Sequence, residues 1–390
     1  MSRLSHTFST LMFALMVLML GPNAQAALNK SDNPGDSDND SLKLAWTFDT
    51  GKPFNIVPTL GSGKIFVTPV HGPLYALNAK TGHLDWTYDP KEGLWDRGLT
   101  ADGDQIFVCY KGGKFAALNV SDGAVQWKAD LGIDCLRPHY VSGDTVYVST
   151  TFVGPGLKGD PLTGAKLFAI DRNNGHVKWD FKTKNFLLQT ANSRDGVIYL
   201  GGNYFDPDFA EEDGGPARYY ALDQATGKMK WVHENIDGTP KVLVPTENLL
   251  LFSAYQDFIQ ALDVHTGKRV WKRDTNNWIP GFVSDGKDLY FGSATTIVHS
   301  WPIDDPNKEN WRFNIPGRKF DYLLIRPVIE GDRLYFMSQR GFVYALDRKT
   351  GKRIFRYGTG MNARVGISFA DGYIYMNDSK GRVYGYKVLK

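Results

Sequence analysis

Residues 74–86 read LYALNAKTGHLDW, and residues 115–127 repeat the pattern as FAALNVSDGAVQW. LFAIDRNNGHVKW at 167–179, YYALDQATGKMKW at 219–231, IQALDVHTGKRVW at 259–271 and VYALDRKTGKRIF at 343–355 follow. With Trp311 between the last two, an aromatic residue closes a unit seven times: Trp86, Trp127, Trp179, Trp231, Trp271, Trp311 and Phe355. The spacing of about 40 to 52 residues is that of a propeller, solenoid or array. Before each ALD run stands a short β-branched and aromatic run such as KIFV, QIFV, TVYV, VIYL, DLYF or RLYF, bounded by Asp and Gly. Such runs signal hairpins, with Gly82, Gly175, Gly227, Gly267 and Gly351 supplying the positive φ of a tight turn. Each unit is therefore expected to hold four antiparallel strands.

Seven complete units run from about Pro53 to Phe355. An eighth begins at ARVGISFADGYIYM and ends with RVYGYKVLK, without a tryptophan strand of its own. The missing strand is upstream, in LKLAWTFDTG with Trp46. Pairing that N-terminal strand into the last unit predicts an all-β, eight-bladed β-propeller of four-stranded antiparallel blades, a ring closed without a free sheet edge. A blade buries its faces only against its neighbours, so Trp46 and the seven repeated aromatics are expected to be wedges between blades, with structural rather than catalytic roles.

These units resemble the tryptophan-docking repeat of pyrroloquinoline quinone (PQQ) propellers, a superfamily of quinoprotein dehydrogenases and non-enzymatic periplasmic relatives. The resemblance covers nearly all of residues 42–390. In character the chain is most similar to the non-enzymatic propeller subunit of the outer-membrane β-barrel assembly machinery. That resemblance implies a periplasmic scaffold for protein–protein interaction, with another envelope protein as partner and no cofactor.

The N-terminus carries Arg3, an apolar run from Leu11 to Leu20 and Ala24-Gln25-Ala26, which predicts a signal peptide over 1–26. Ten apolar residues are too few to span a bilayer, so export to the periplasm is expected rather than membrane insertion. No cysteine stands near the cleavage site, so no lipid anchor is expected, which sets the chain apart from that lipoprotein subunit. Residues 27–41, ALNKSDNPGDSDNDS, predict a disordered linker. A net charge of +3 gives no basic excess for nucleic acid. The expected state is a monomer.

Cys109 and Cys135 both fall near one face of the ring; an exported chain could bridge them or keep two buried thiols. Two neighbouring loops between second and third strands are long, Thr151 to Lys166 and Asn203 to Arg218. They are either a binding surface or neutral drift. Asp206, Asp208, Glu211, Glu212 and Asp213 are oxygen donors of the kind calcium takes, but match no EF-hand spacing, and no metal site is expected.

Counting back from each second strand places Arg97, Arg137, Gln189, Lys241, Arg326 and Arg364 at equivalent innermost positions, the last two of the arginines with a one-residue shift. Clustered cations at a concave mouth would attract an anion: a carboxylate-bearing cofactor, a phosphate, a glycan or an acidic partner segment. Alternatively each arginine pairs locally with Asp96, Asp134 or Asp321 and packs the ring.

The dehydrogenase branch of the resemblance implies a different activity, PQQ-dependent oxidation of an alcohol or sugar. Those enzymes hold calcium with acidic and amide side chains, an Asp base and often a vicinal cysteine pair. Here no cysteines are adjacent, and Asp96 and Asp321 are the base candidates near the mouth. No G-x-S-x-G, Walker-A, H-E-x-x-H or C-x-x-C motif is present. His71, His139, His265 and His299 are scattered over different blades, which is the pattern of surface or satisfied core groups.

Overall fold

The computed structural model describes residues 40–135, 138–150, 165–183, 186–188, 191–204, 217–235, 240–254, 257–275, 277–293, 296–316, 323, 326–361 and 366–389. The expected signal peptide, most of the expected linker and most of both long loops lie outside them. The described residues are all β, arranged as eight antiparallel sheets. We letter the strands of each blade a to d from the channel outward. In blade 2 these are Leu94–Asp102, Gln105–Tyr110, Lys114–Asn119 and Val125–Asp130. In blade 8 they are Ser368–Ala370, Tyr373–Asn377, Arg382–Val388 and, from the other end of the chain, Leu42–Asp49.

The burial of each strand follows from its place in the wedge. Strand 2b, QIFVCY, is buried at every position, because neighbouring blades cover both of its faces. Strand 3d, VKWDFK, alternates between exposed and half-buried residues, because it forms the rim. Eight apolar clusters fill eight seams, each drawn from two successive blades. Phe66, Leu74 and Ala76 of blade 1 thus pack on Ile106 and Val108 of blade 2.

Closure is by the N-terminal strand. Leu42–Asp49 pairs antiparallel with Arg382–Val388, Trp46 opposite Gly385, and a bulge falls between Leu44 and Trp46. The same bulge precedes the aromatic residue in the outer strands of blades 1 to 5 and 7. Strand 8d is thus a true copy of the others although it comes from the far end of the chain. Blade 4 departs from four simple strands. Its second strand, Val197–Tyr204, is long enough to pair with two inner pieces, Phe186–Leu188 and Asn192–Arg194.

Six indoles dock on the next blade, and their geometry shows how. Trp46, Trp86, Trp127, Trp179, Trp231 and Trp311 donate Nε1–H to the carbonyls of Ala79, Val120, Arg172, Gln224, Val264 and Arg348 in the next blade, at 2.7–3.2 Å. Each ring also covers the glycine of that blade's c–d turn. A Cβ on Gly82, Gly123, Gly175, Gly227, Gly267 or Gly351 would come within 2.5–2.7 Å of the indole. Those turns need glycine twice over, for φ of +69 to +79° and for the ring above it. Trp271 and Phe355 stand apart. Phe355 has no N–H to donate, and the buried Trp271 Nε1 has no hydrogen-bond partner among the described residues.

Candidate functional site

The docking turns occupy one face of the ring; the b–c loops and the connectors between blades occupy the other. The connector face holds the positions singled out as channel-lining. Arg137, Gln189 and Arg364 lie outside the described residues, as does Asp321. Lys241 falls in strand 5a, Pro240–Pro245, between Pro240 opposite Ala254 and Val242 opposite Ser253, so it occupies a bulge.

Arg97 and Arg326 are described, and both are exposed at the inner strand. Leu94 pairs with Tyr110 in blade 2, and Leu323 bridges Ser338 at the matching place in blade 7. Arg97 is the third residue after the first leucine and Arg326 the third after the second. In blade 2 the inner strand then bulges before regular pairing resumes at Leu99 opposite Val108. In blade 7 regular pairing resumes at Val328 opposite Tyr335.

Local pairing does not account for either arginine. Asp96 Oδ2 accepts from Asn55 Nδ2 at 2.6 Å. Asp134 Oδ1 accepts the backbone N–H groups of Gly112 and Gly113 at 2.8 and 2.7 Å. Among the described residues neither Arg97 nor Arg326 has a hydrogen bond or ion pair. Although Arg326 is exposed by its accessible surface, the protein around it desolvates the guanidinium and lowers its pKa from the ordinary value, with no carboxylate among the described residues opposing the shift.

A second cationic group borders the same face at blades 1 and 2. Lys111 Nζ lies 3.2 Å from His71 Nδ1 and 5.6 Å above the Trp95 ring. Lys52 Nζ donates to the His71 carbonyl at 3.2 Å. Spacing gave no hint of this cluster, because its members come from the 8–1 connector, a b–c turn of each of blades 1 and 2, and the start of strand 2a.

Cys109 and Cys135 form a disulfide with Cα atoms 5.7 Å apart, both fully buried. It ties strand 2b to the 2–3 connector. His139, four residues further on, adds a second tie. Its Nε2 donates to the Gly98 carbonyl at 3.1 Å, and its backbone N–H and carbonyl both bond Thr100 Oγ1, at 2.8 and 3.0 Å. The ring stands edge-on to Phe115 at 4.7 Å, and burial pushes its pKa down to about 4. His139 is thus a neutral brace, not an isolated core histidine. His299 likewise has a partner, with Nδ1 2.6 Å from Glu309 Oε1.

A closed ring of eight four-stranded blades, six of them docked to the next blade by an indole, defines a PQQ-type propeller. The family model for outer membrane protein assembly factor BamB matches residues 36–135, 132–250 and 302–390, and the chain belongs to that family. The unmatched stretch, 251–301, contains Trp271 and the inner strands of blade 6. Among relatives, outer membrane protein assembly factor BamB of Nitrosomonas eutropha is 24% identical over 345 residues, covering 85% of this chain and 78% of that one. The quinohemoprotein alcohol dehydrogenase ADH-IIG of Pseudomonas putida is also 24% identical, over 85% of this chain but 44% of its own length. The crystal structure of BamB from Moraxella catarrhalis superposes with a TM-score of 0.62 at 18% identity, over 89% of this chain and 99% of that one, which speaks for the fold.

Proposed function

We propose that this protein is a periplasmic, non-enzymatic scaffold in outer membrane protein assembly, presenting its connector face to another envelope protein. The observation that carries the reading is the extent of the family match, which reaches from residue 36 to the last residue with one gap. The assembly-factor relative is covered over most of its length, whereas less than half of the dehydrogenase has a counterpart here. The connector face suits this role. Its 2–3 connector is held by the Cys109–Cys135 disulfide and by His139, so docking a partner there requires little ordering of backbone.

A PQQ-dependent dehydrogenase is the second reading, supported by the 24% identity to the P. putida enzyme. The mouth is a poor fit to the PQQ and calcium set. Asp96 is engaged by Asn55. The two cysteines are 26 residues apart in sequence, not vicinal. Among the described residues no group of three or more His, Cys, Asp or Glu side chains could hold a metal ion.

The test is affinity capture from an envelope extract with the mature protein and with a variant lacking 203–218. We expect the wild type to recover components of the outer-membrane assembly machinery. Recovery of none of them, or turnover of an alcohol or sugar after loading with PQQ and calcium, would overturn the scaffold reading. Equal recovery by both forms would move the docking surface away from that loop.

A further inference from the structure

We propose that the channel mouth receives an acidic polypeptide segment, with Arg326 and Arg97 each taking one of its carboxylates. The inference rests on the scaffold reading and adds the chemistry of the partner.

Elsewhere in the molecule, arginines drawn into the protein are neutralised or stacked. Arg172 forms an ion pair with Asp102, and Arg348 with Asp285 at 2.6 Å. Arg273 and Arg356 lie over the rings of Trp301 and Phe342 at 3.3 and 3.8 Å. Arg326 is exposed at the inner strand and desolvated by the protein around it, yet none of the described residues supplies it with an anion. A carboxylate would compensate it well, since a guanidinium fork binds a carboxylate through two parallel hydrogen bonds. On the Arg97 side the carboxylate candidates are otherwise engaged, Asp96 by Asn55 and Asp134 by two backbone amides, while Asp321 lies outside the described residues.

The scaffold reading makes the ligand a chain rather than a small ion. Blades 7 and 2 are separated by blades 8 and 1 in a ring of eight, so the two arginines are presented from non-adjacent blades. A segment carrying several Asp or Glu residues can lie across the opening, with Lys111 and Lys52 extending the positive field toward the blade 1 and 2 edge. Each arginine stands third after a leucine that pairs with its blade's second strand, so two distant blades place a cation at matching positions.

The experiment measures fluorescence anisotropy of a labelled Glu-rich decapeptide, with its Gln-substituted counterpart as control. The proteins are the mature chain, Arg326→Gln, Arg97→Gln, the double variant, and Lys80→Gln on the opposite face. We expect binding of the Glu peptide alone, weakened by salt. Each single arginine change should weaken it by roughly ten-fold and the two together by more, with Lys80→Gln and all melting temperatures unchanged. Millimolar inorganic phosphate should not displace the peptide. No binding by the wild type, equal binding by the double variant, or displacement by phosphate would each overturn the proposal. Because the peptide assay uses purified protein, its failure leaves capture of the assembly partner standing. Failed capture with intact peptide binding would strike the scaffold reading instead.

Discussion

The guanidinium of Arg273 lies on the ring of Trp301 with 3.3 Å between Cζ and the ring centroid, and this pair joins blades 5 and 6 where other seams use an indole on a glycine. Blade 6 has lost the docking turn. Trp301 replaces the leucine of the ALD run, and Pro302 replaces the acid. In blade 5 that acid, Asp263, caps the turn by accepting from Thr266 N and Oγ1 at 2.8 Å each. Without the cap and the glycine the turn is longer, and Arg273 reaches it by donating to the Lys308 carbonyl at 2.6 Å. Glu309 organises the rest, receiving His299 and Arg312.

That seam makes the two neighbouring tryptophans inequivalent. Trp231→Phe removes the bond to Val264 O and leaves a buried carbonyl unpaired, at a cost of about 1–2 kcal/mol. Trp271→Phe removes a buried N–H that has no acceptor among the described residues, so it should change stability by less than about 0.5 kcal/mol. Urea midpoints of the two variants check this; equal losses would show that Trp271 is docked like the rest.

The glycine under each indole gives a second contrast. Gly112 has φ of +88° with nothing within 4 Å of an added Cβ, so Gly112→Ala should cost only the left-handed backbone, about 1–2 kcal/mol. At Gly267, φ is +69° and the Cβ would meet the Trp231 ring at 2.6 Å. Gly267→Ala must also displace that indole, and we expect a loss of about 3 kcal/mol or more. Thermal melts of the two variants decide it, similar melting temperatures counting against docking.

The disulfide closes a 26-residue loop and is fully buried at both ends. Replacing both cysteines by serine should lower stability by about 2–4 kcal/mol. Under native conditions a reductant should act only as fast as the blade 2–3 connector opens. Thiol labelling over time reads this; complete reduction within seconds in native buffer would show a connector that is not held shut.

The ring was legible because its signal repeats. The ALD run, the turn glycine and the tryptophan recur, and LKLAWTFDTG was recognisable as the strand that blade 8 lacks. Blade 6 was not legible as a departure, because Trp311 keeps the period while the turn before it has changed. At the mouth, the positions of Arg97 and Arg326 could be counted, but their lack of partners could not. That depends on Asn55 and two glycine amides occupying Asp96 and Asp134, contacts that span 41, 22 and 21 residues in the chain. His139 looked isolated for the same reason, since Gly98 and Thr100, its partners, belong to the preceding blade.

His139 supplies a pH dependence whose sign is fixed by burial. Its folded pKa, about 4, lies below the roughly 6.5 of an unfolded chain, so between these values the unfolded state holds the proton and the folded state does not. The stabilisation is fully present above about pH 6.5, falls as pH drops through that window, and is gone near pH 4, a change of about 3 kcal/mol. Other groups titrate over the same range, among them His233 and His299, whose pKa values burial also lowers. The measurement is therefore the difference between the wild type and His139→Gln in urea unfolding at pH 7.5 and 4.5. The variant should be the less stable at pH 7.5, and the gap should close by about 2–3 kcal/mol at pH 4.5. Parallel pH profiles would mean that His139 is protonated in the fold, which its full burial and the apolar wall of Phe115 argue against, the Gly98 carbonyl being the smaller, opposing influence.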